Sequence, residues 1–486
     1  MMRRVVWGLI AAWPLLALGD AALAADVFRW QQVLESPSSN IELQSVQPLA
    51  GGGYVAVGCA SPPLVGPSFD SVLFTARFGA DGHLGVTTIL DVDEYPGGCN
   101  GLDVVRAPGG GFWVGDSAVV YGVDAEGGMA FRTVVPDTGA HPWSLVAPSA
   151  DGGVTLGSRV DHEESQDVLV SRLAPDGTVA WHQAYTRESI GLSLIPASSG
   201  GIYVLASDYD RGPEVFRVGA DGRMVWETFV DRSVDLVAGL SPAQGGVLVW
   251  GTVERSPGVH DPVLIRLREG GDVAWGRVLD PRTLGRQGGG HIEVAALRPD
   301  GWLVVAERAQ PGNQVAAVRL SDDGSISAVT TYGLAHGWVR QVVPSARGGY
   351  FLVGAGPDIP LARLDRDGRE RWHTLVGPAV PYPVMATEAV IAAPQGGLVV
   401  AGEVDSPPMN DSFGSSFAIV VDDVRPKAWG HVYGPNLQSV SSIEPAADGG
   451  FVLGADVWGQ GPGDLHTGYV AKTDAHGNTG PYVTSP

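Results

Sequence analysis

Ser144-Leu145-Val146-Ala147-Pro148 is followed by an Asp151-Gly152-Gly153 turn and by Val154-Thr155-Leu156-Gly157; after a polar loop come Val168-Leu169-Val170-Ser171-Arg172-Leu173, a second turn at Asp176-Gly177, and Val179-Ala180-Trp181. Each apolar run is shorter than a helix needs, is rich in β-branched residues, and is bounded by turn formers. Asp-Gly between two such runs marks a tight hairpin, because glycine takes a positive φ without a Cβ clash. The stretch therefore predicts four antiparallel strands, A to D.

The same pattern recurs along the chain. Gly-rich A–B turns stand at Gly51-Gly52-Gly53, Gly109-Gly110-Gly111, Asp151-Gly152-Gly153, Ser199-Gly200-Gly201, Gln244-Gly245-Gly246, Asp300-Gly301, Arg347-Gly348-Gly349, Gln395-Gly396-Gly397 and Asp448-Gly449-Gly450. Their average spacing is about 50 residues, the length of one blade in a radial repeat. Asp-Gly at the C–D position returns at Asp81-Gly82, Asp221-Gly222, Asp323-Gly324 and Asp367-Gly368. Shortly after that turn stands an aromatic: Phe131, Trp181, Trp226, Trp275, Trp372 or Trp429. A large flat side chain once per unit is what sheet-on-sheet packing demands, since faces about 10 Å apart need bulky filler. Val86 and Ile326 stand near that place in units one and six, where looser packing is expected.

Val27-Phe28-Arg29-Trp30-Gln31 reads as a D strand with no unit before it, and the last unit ends at Asn478-Thr479-Gly480-Pro481 without its aromatic. The two ends complement each other. Docking the first strand as the outer strand of the last unit closes a ring and removes an open sheet edge. The expected fold is all-β: a single β-propeller of four-stranded antiparallel blades, nine by this count, or eight if one divergent unit stands outside the ring.

The sixth unit, Ala295-Ala296-Leu297-Arg298-Pro299-Asp300-Gly301-Trp302-Leu303-Val304-Val305 with Ala317-Val318-Arg319-Leu320-Ser321-Asp322-Asp323-Gly324-Ser325, resembles the delta-60 class of bacterial repeats. The Asp-Gly-x-x-x-Trp ending of other units resembles the tryptophan-docking motif of quinoprotein-like propellers. The resemblance spans nearly the whole chain after residue 24 and implies a bacterial exported propeller. It carries no quinone chemistry here, because Cys59 and Cys99 are not the adjacent pair such dehydrogenases use. The lipoprotein assembly propellers of the outer membrane, also similar in repeat, begin with an anchor cysteine that this sequence does not show.

Arg3 and Arg4, the apolar run Val5 to Leu18 and Ala22-Leu23-Ala24 have the layout of an export signal over residues 1–24, leaving residues 25–486 as one propeller domain. No later run is long enough to span a membrane. A periplasmic or secreted location is expected, and in that compartment Cys59 and Cys99 are expected to form a disulfide. The net charge of -22 with only two lysines argues against a nucleic-acid partner.

Long B–C and D–A loops lie on one face, among them the stretches from Cys59 to Asp70, Arg159 to Asp167, Glu403 to Ser416 and Asp456 to Thr467. Aligning the units on the proline ending strand A places Glu42, Glu293 and Glu388 six residues earlier, and Asn40, Asn100, His291 and His336 eight earlier. Residues two apart share a face of a strand. These seven are the candidate ligand-binding residues, a polar ring at the channel mouth if strand A is innermost. Asp365-x-Asp367-Gly368 matches the start of a calcium loop but lacks its twelfth-position Glu, so a hairpin turn is expected, with calcium the only cofactor considered and none required. No H-x-x-x-H, G-x-S-x-G or P-loop pattern names a catalytic residue. The expected function is therefore a monomeric, non-catalytic binding propeller for a protein or glycan. The alternative is an extracellular enzyme acting on a polysaccharide or similar polar polymer, with Glu293 and Glu388 among its acids.

Overall fold

The computed structural model describes the chain from Arg29 to Gly480, except residues 37–38, 62–71, 92–101, 108, 117–118, 136–144, 150, 162–165, 187–188, 199, 209–211, 231–233, 244, 258, 280–291, 299–300, 309–313, 334–337, 356–357, 378–383, 394–395, 405–414, 434–436 and 458–464. Among the described residues there is no helix, and 36 strands form nine four-stranded antiparallel sheets. Eight blades use consecutive strands: blade 1 covers 40–91, blade 2 103–134, blade 3 145–186, blade 4 189–229, blade 5 234–278, blade 6 292–333, blade 7 338–376 and blade 8 384–433. Blade 9 takes strands A to C from Leu437–Pro445, Phe451–Val457 and Thr467–Lys472, and its outer strand from Trp30–Leu34. Trp30 pairs with Lys472 and Leu34 with Gly468, so the two ends of the chain meet in one sheet.

The number of cores decides the ring. Among the described residues there are nine hydrophobic clusters, each spanning one gap between neighbouring blades. A row of nine blades has eight gaps. The ninth cluster joins Val452 and Val470 of blade 9, with Trp30, to Leu43, Val46, Ala56 and Phe78 of blade 1. Successive residues of a strand face opposite neighbours, so strands buried on both sides are apolar throughout. Tyr203, in strand B of blade 4, accordingly joins the cluster shared with blade 5, while Val204 joins the one shared with blade 3. The expected nine-blade propeller, closed by an N-terminal outer strand, is what the chain adopts.

Where the D strand carries a tryptophan bonded to the next C–D turn, it latches its blade to the following one. Nε1 of Trp181 donates to the carbonyl of Ala220 at 2.8 Å, that of Trp226 to Glu269 at 2.7 Å, and that of Trp275 to Asp322 at 2.8 Å. Each acceptor lies two residues before the glycine of the following blade's C–D turn. The indole then covers that glycine: a Cβ on Gly222 would stand 2.7 Å from Cδ2 of Trp181, at a φ of 78°. Trp30 does the same across the closure, donating to Ala80 at 3.0 Å and stacking on Phe78 at 5.6 Å. In blade 6 the residue opposite Arg319, the position Trp372 holds opposite Arg363, is Ala328 and not Ile326. Leu303 of strand B fills the place by reaching Gly368.

Candidate functional site

From blade 2 round to blade 9 and on to blade 1, strand A packs against strand A of the next blade, as those of blades 8 and 1 do on that of blade 9, which makes strand A the innermost. Its N-terminal end lies on the side of the long loops. Asn40 and Glu42 occupy that end in blade 1, and Glu388 stands midway along strand A of blade 8.

Local irregularity explains how their polar groups are used. In blades 1, 8 and 9 the A–B pairing contains register shifts, between Leu43 and Ser45, between Thr387 and Ala389, and between Val440 and Ser442. A bulge turns a backbone N–H out of its own ladder, and a buried donor needs an acceptor. The neighbouring blade supplies it. Glu388 Oε2 accepts from the Val440 amide at 2.6 Å, joining blades 8 and 9. Asp456 Oδ1 accepts from the Leu43 amide at 2.7 Å, and Ser442 Oγ from the Val46 amide at 2.8 Å, joining blades 9 and 1. Beside them, Asn40 Oδ1 accepts from the His466 amide at 3.0 Å, and the His466 carbonyl accepts from the Ile41 amide at 3.0 Å.

These contacts bring Asn40, Glu42 and Glu388 together with two residues the alignment on strand A did not include, Asp456 and His466. Asp456 closes strand B of blade 9 and His466 immediately precedes strand C, so both reach the same mouth from other strands. Burial pushes the Asp456 carboxyl up to about 7, and the charges of Glu42 and Glu388 push the same way; the Leu43 amide and the Ser439 hydroxyl, 3.4 Å from Oδ2, oppose them. His466 is held below its ordinary value by burial, against the pull of Glu42. The mouth thus offers a carboxyl that exchanges its proton near neutrality beside two further carboxylates. Among the described residues no group of three or more His, Cys, Asp or Glu side chains is arranged to hold a metal ion.

Of the other expected ligand-binding residues the described structure gives no side-chain placement. Glu293 lies in strand A of blade 6, and the described structure extends to its backbone alone. Asn100, His291 and His336 lie outside the described residues, as do Cys99 and residues 1–24. Cys59 is buried in strand B of blade 1 and is not a free thiol. The calcium-like segment is a hairpin turn, in which Asp365 Oδ1 accepts from the amides of Asp367 at 2.8 Å and Arg369 at 3.0 Å. No helix among the described residues is long and apolar enough to cross a membrane.

A second device recurs along the strands. In five blades the residue paired across strands C and D with the tryptophan is a cation: Arg172, Arg217, Arg266 and Arg363 face Trp181, Trp226, Trp275 and Trp372, and Lys472 faces Trp30, whereas Trp429 faces Val420. Several reach an acid in the next blade's C–D turn. Arg217 meets Glu269 at 3.2 Å, Arg319 meets Asp367 at 2.9 Å, and Arg363, almost fully buried, bonds Asp423. Lys472 instead binds Asp448 of its own A–B turn at 2.7 Å.

No family model matches the chain, and no curated protein matches it. Solved structures of similar shape include a eukaryotic initiation factor (12% identity, TM-score 0.48, covering 87% of this chain and 90% of that one) and the Neurospora crassa Pan2 WD40 domain (12%, 0.36, covering 70% and 92%). A cobalt-substituted Synechocystis ACO is similar at 14% identity and a TM-score of 0.34, covering 73% of this chain and 95% of its own.

Proposed function

We propose that the chain is a non-catalytic binding propeller of the bacterial envelope or extracellular space, recognising a protein or glycan at the mouth where blades 8, 9 and 1 meet. The observation that carries this reading is the convergence of Asn40, Glu42, Glu388, Asp456 and His466 on the side of the long loops, from three adjacent blades. The periodic residues, by contrast, are consumed in packing: the indoles and strand-C cations bind turns of neighbouring blades. Long loops on a rigid scaffold are where binding groups usually stand. The test is a glycan and peptide array probed with the wild-type protein and the Glu42→Gln variant. A retained ligand should bind Glu42→Gln at least roughly tenfold more weakly at an unchanged melting temperature. Equal binding by both proteins contradicts the proposal.

Asp456 favours a second reading, an extracellular enzyme acting on a polysaccharide or other polar polymer at the same mouth. A carboxyl whose pKa burial raises to about 7, standing beside the side chains of Glu42 and Glu388, suits acid/base chemistry. Release of new reducing ends from oligosaccharides, abolished in Asp456→Asn, separates this reading from simple binding. The proposal also takes residues 1–24 as a removed leader, 25–486 as one domain, and Cys59 and Cys99 as disulfide partners. Mass measurement of the exported protein should place its N-terminus at Ala25, and non-reducing peptide maps should join the two cysteines.

A further inference from the structure

The gap between blades 5 and 6 differs from its neighbour. Between blades 4 and 5, Tyr203 faces Arg217 across strands B and C, packs on Trp226 at 5.9 Å, and donates its hydroxyl to Glu269 at 2.6 Å, so a ring and an ion pair fill the space. In blade 5 the residue facing Arg266 is Leu248, with neither ring nor hydroxyl. A cleft of about 410 Å³ opens there on the side of the tight turns, lined by Gly245, Arg266, Arg268, Ala274 and Trp275 of blade 5 and by Asp322 and Asp323 of blade 6. That volume is in the range of small-molecule sites.

The two walls carry opposite charge. Arg266 is 5% exposed and turns its guanidinium toward the Val247 and Leu267 carbonyls, while Arg268 stands exposed at the lip. Opposite, Asp322 lends its backbone carbonyl to Trp275, and Asp323 uses Oδ1 for the Ser325 amide and hydroxyl, so the turn that presents both carboxylates is held in place. Trp275 forms the apolar wall, one side of its indole covering Gly324. A ligand of single charge meets attraction on one wall and repulsion on the other. A compact ligand bearing both charges meets attraction on both.

We infer that this cleft binds a small zwitterion of the α-amino-acid class, its carboxylate toward Arg268 and Arg266 and its ammonium toward Asp322 and Asp323. The site is on the face opposite the channel mouth and is independent of the function proposed for it. Titration calorimetry of the full-length mature protein against the free L-amino acids, their methyl esters and their N-acetyl forms tests it. At least one free amino acid should give saturable binding, weakened roughly tenfold or more when either charge is masked. Arg268→Gln and Asp322→Asn should each weaken it similarly, the latter keeping the carbonyl that Trp275 needs, while Glu42→Gln should leave it unchanged. No saturable heat at millimolar concentration from any free amino acid overturns the inference. So does equal binding of the masked forms, a comparison on the wild-type protein that needs no variant to fold.

Discussion

Asp456 shows what one residue does when it is buried for a structural purpose. Its carboxylate serves the Leu43 amide across the closing seam, yet burial and the two nearby glutamates hold its pKa near 7, well above the 3.8 of a free aspartate. Between those two values the folded state binds more protons than the unfolded state, so stability falls as pH rises through the window and levels off above about 7. Asp456→Asn keeps an acceptor for Leu43 and removes the charge. Denaturant titrations at pH 5 and pH 8 should show this variant gaining stability relative to wild type at the higher pH; an equal difference at both pH values would deny Asp456 its charge burden. A second prediction concerns Gly271, which sits at a φ of 90° beneath Trp226, where a Cβ would stand 2.6 Å from the indole. Gly271→Ala should cost roughly 1–3 kcal/mol by chemical denaturation, and Trp226→Phe, which loses the bond to Glu269 and part of the indole's packing, at least about 1 kcal/mol. The tryptophans were legible in sequence because they recur at one offset from a turn. Asp456 was not, because it is a single polar residue in the run Phe451–Val457 and its partner lies at the other end of the chain.

Strands and turns carry the repeating latch. The cation that opens it stands one residue before the last apolar residue of strand C, as in Arg172-Leu173, Arg217-Val218, Arg266-Leu267, Arg319-Leu320 and Arg363-Leu364. That regularity is present in the sequence, but it becomes visible only when units are aligned on their C–D turns, and alignment on the strand-A proline blurs it. Register sharpens a local reading: Ile326 stands near the aromatic's place in blade 6, and strand pairing puts Ala328 at the place itself. The pair of Arg363 and Asp423 is the most enclosed of these latches, with Ser345 Oγ also on Asp423 and the Gly348 carbonyl on Arg363. Removing one partner leaves a buried charge, so Arg363→Ala or Asp423→Ala should each destabilise by roughly 3–5 kcal/mol. Replacing both at once should cost less than the sum, and a strictly additive double variant would mean that the two side chains do not interact.

On the scale of the molecule, stability is shared among nine similar gaps, and the gap between blades 9 and 1 alone joins the two ends of the chain. Count and closure were readable from the turns and from the orphan strand before the first unit; the choice between eight and nine needed the cores, because a divergent unit can be recognised as a blade only by what packs against it. The channel-mouth cluster was partly legible: Glu42 and Glu388 share an offset on strand A and Asn40 stands two residues before Glu42, whereas Asp456 and His466 arrive from strand B and the start of strand C. Deleting residues 25–35 should expose the outer edge of Thr467–Lys472 and lower the unfolding midpoint while leaving the far blades' secondary structure in place, as circular dichroism can show. The most direct test of the closed nine-blade ring is a disulfide across the seam. Gln32 and Val470 are directly opposite in the antiparallel pair, where Cα separations of about 4.5–5.5 Å suit a crosslink. The Gln32→Cys/Val470→Cys variant should form that bond within single molecules and unfold at a higher denaturant concentration; a variant whose two new thiols stay reduced, or link only between molecules, contradicts the ring.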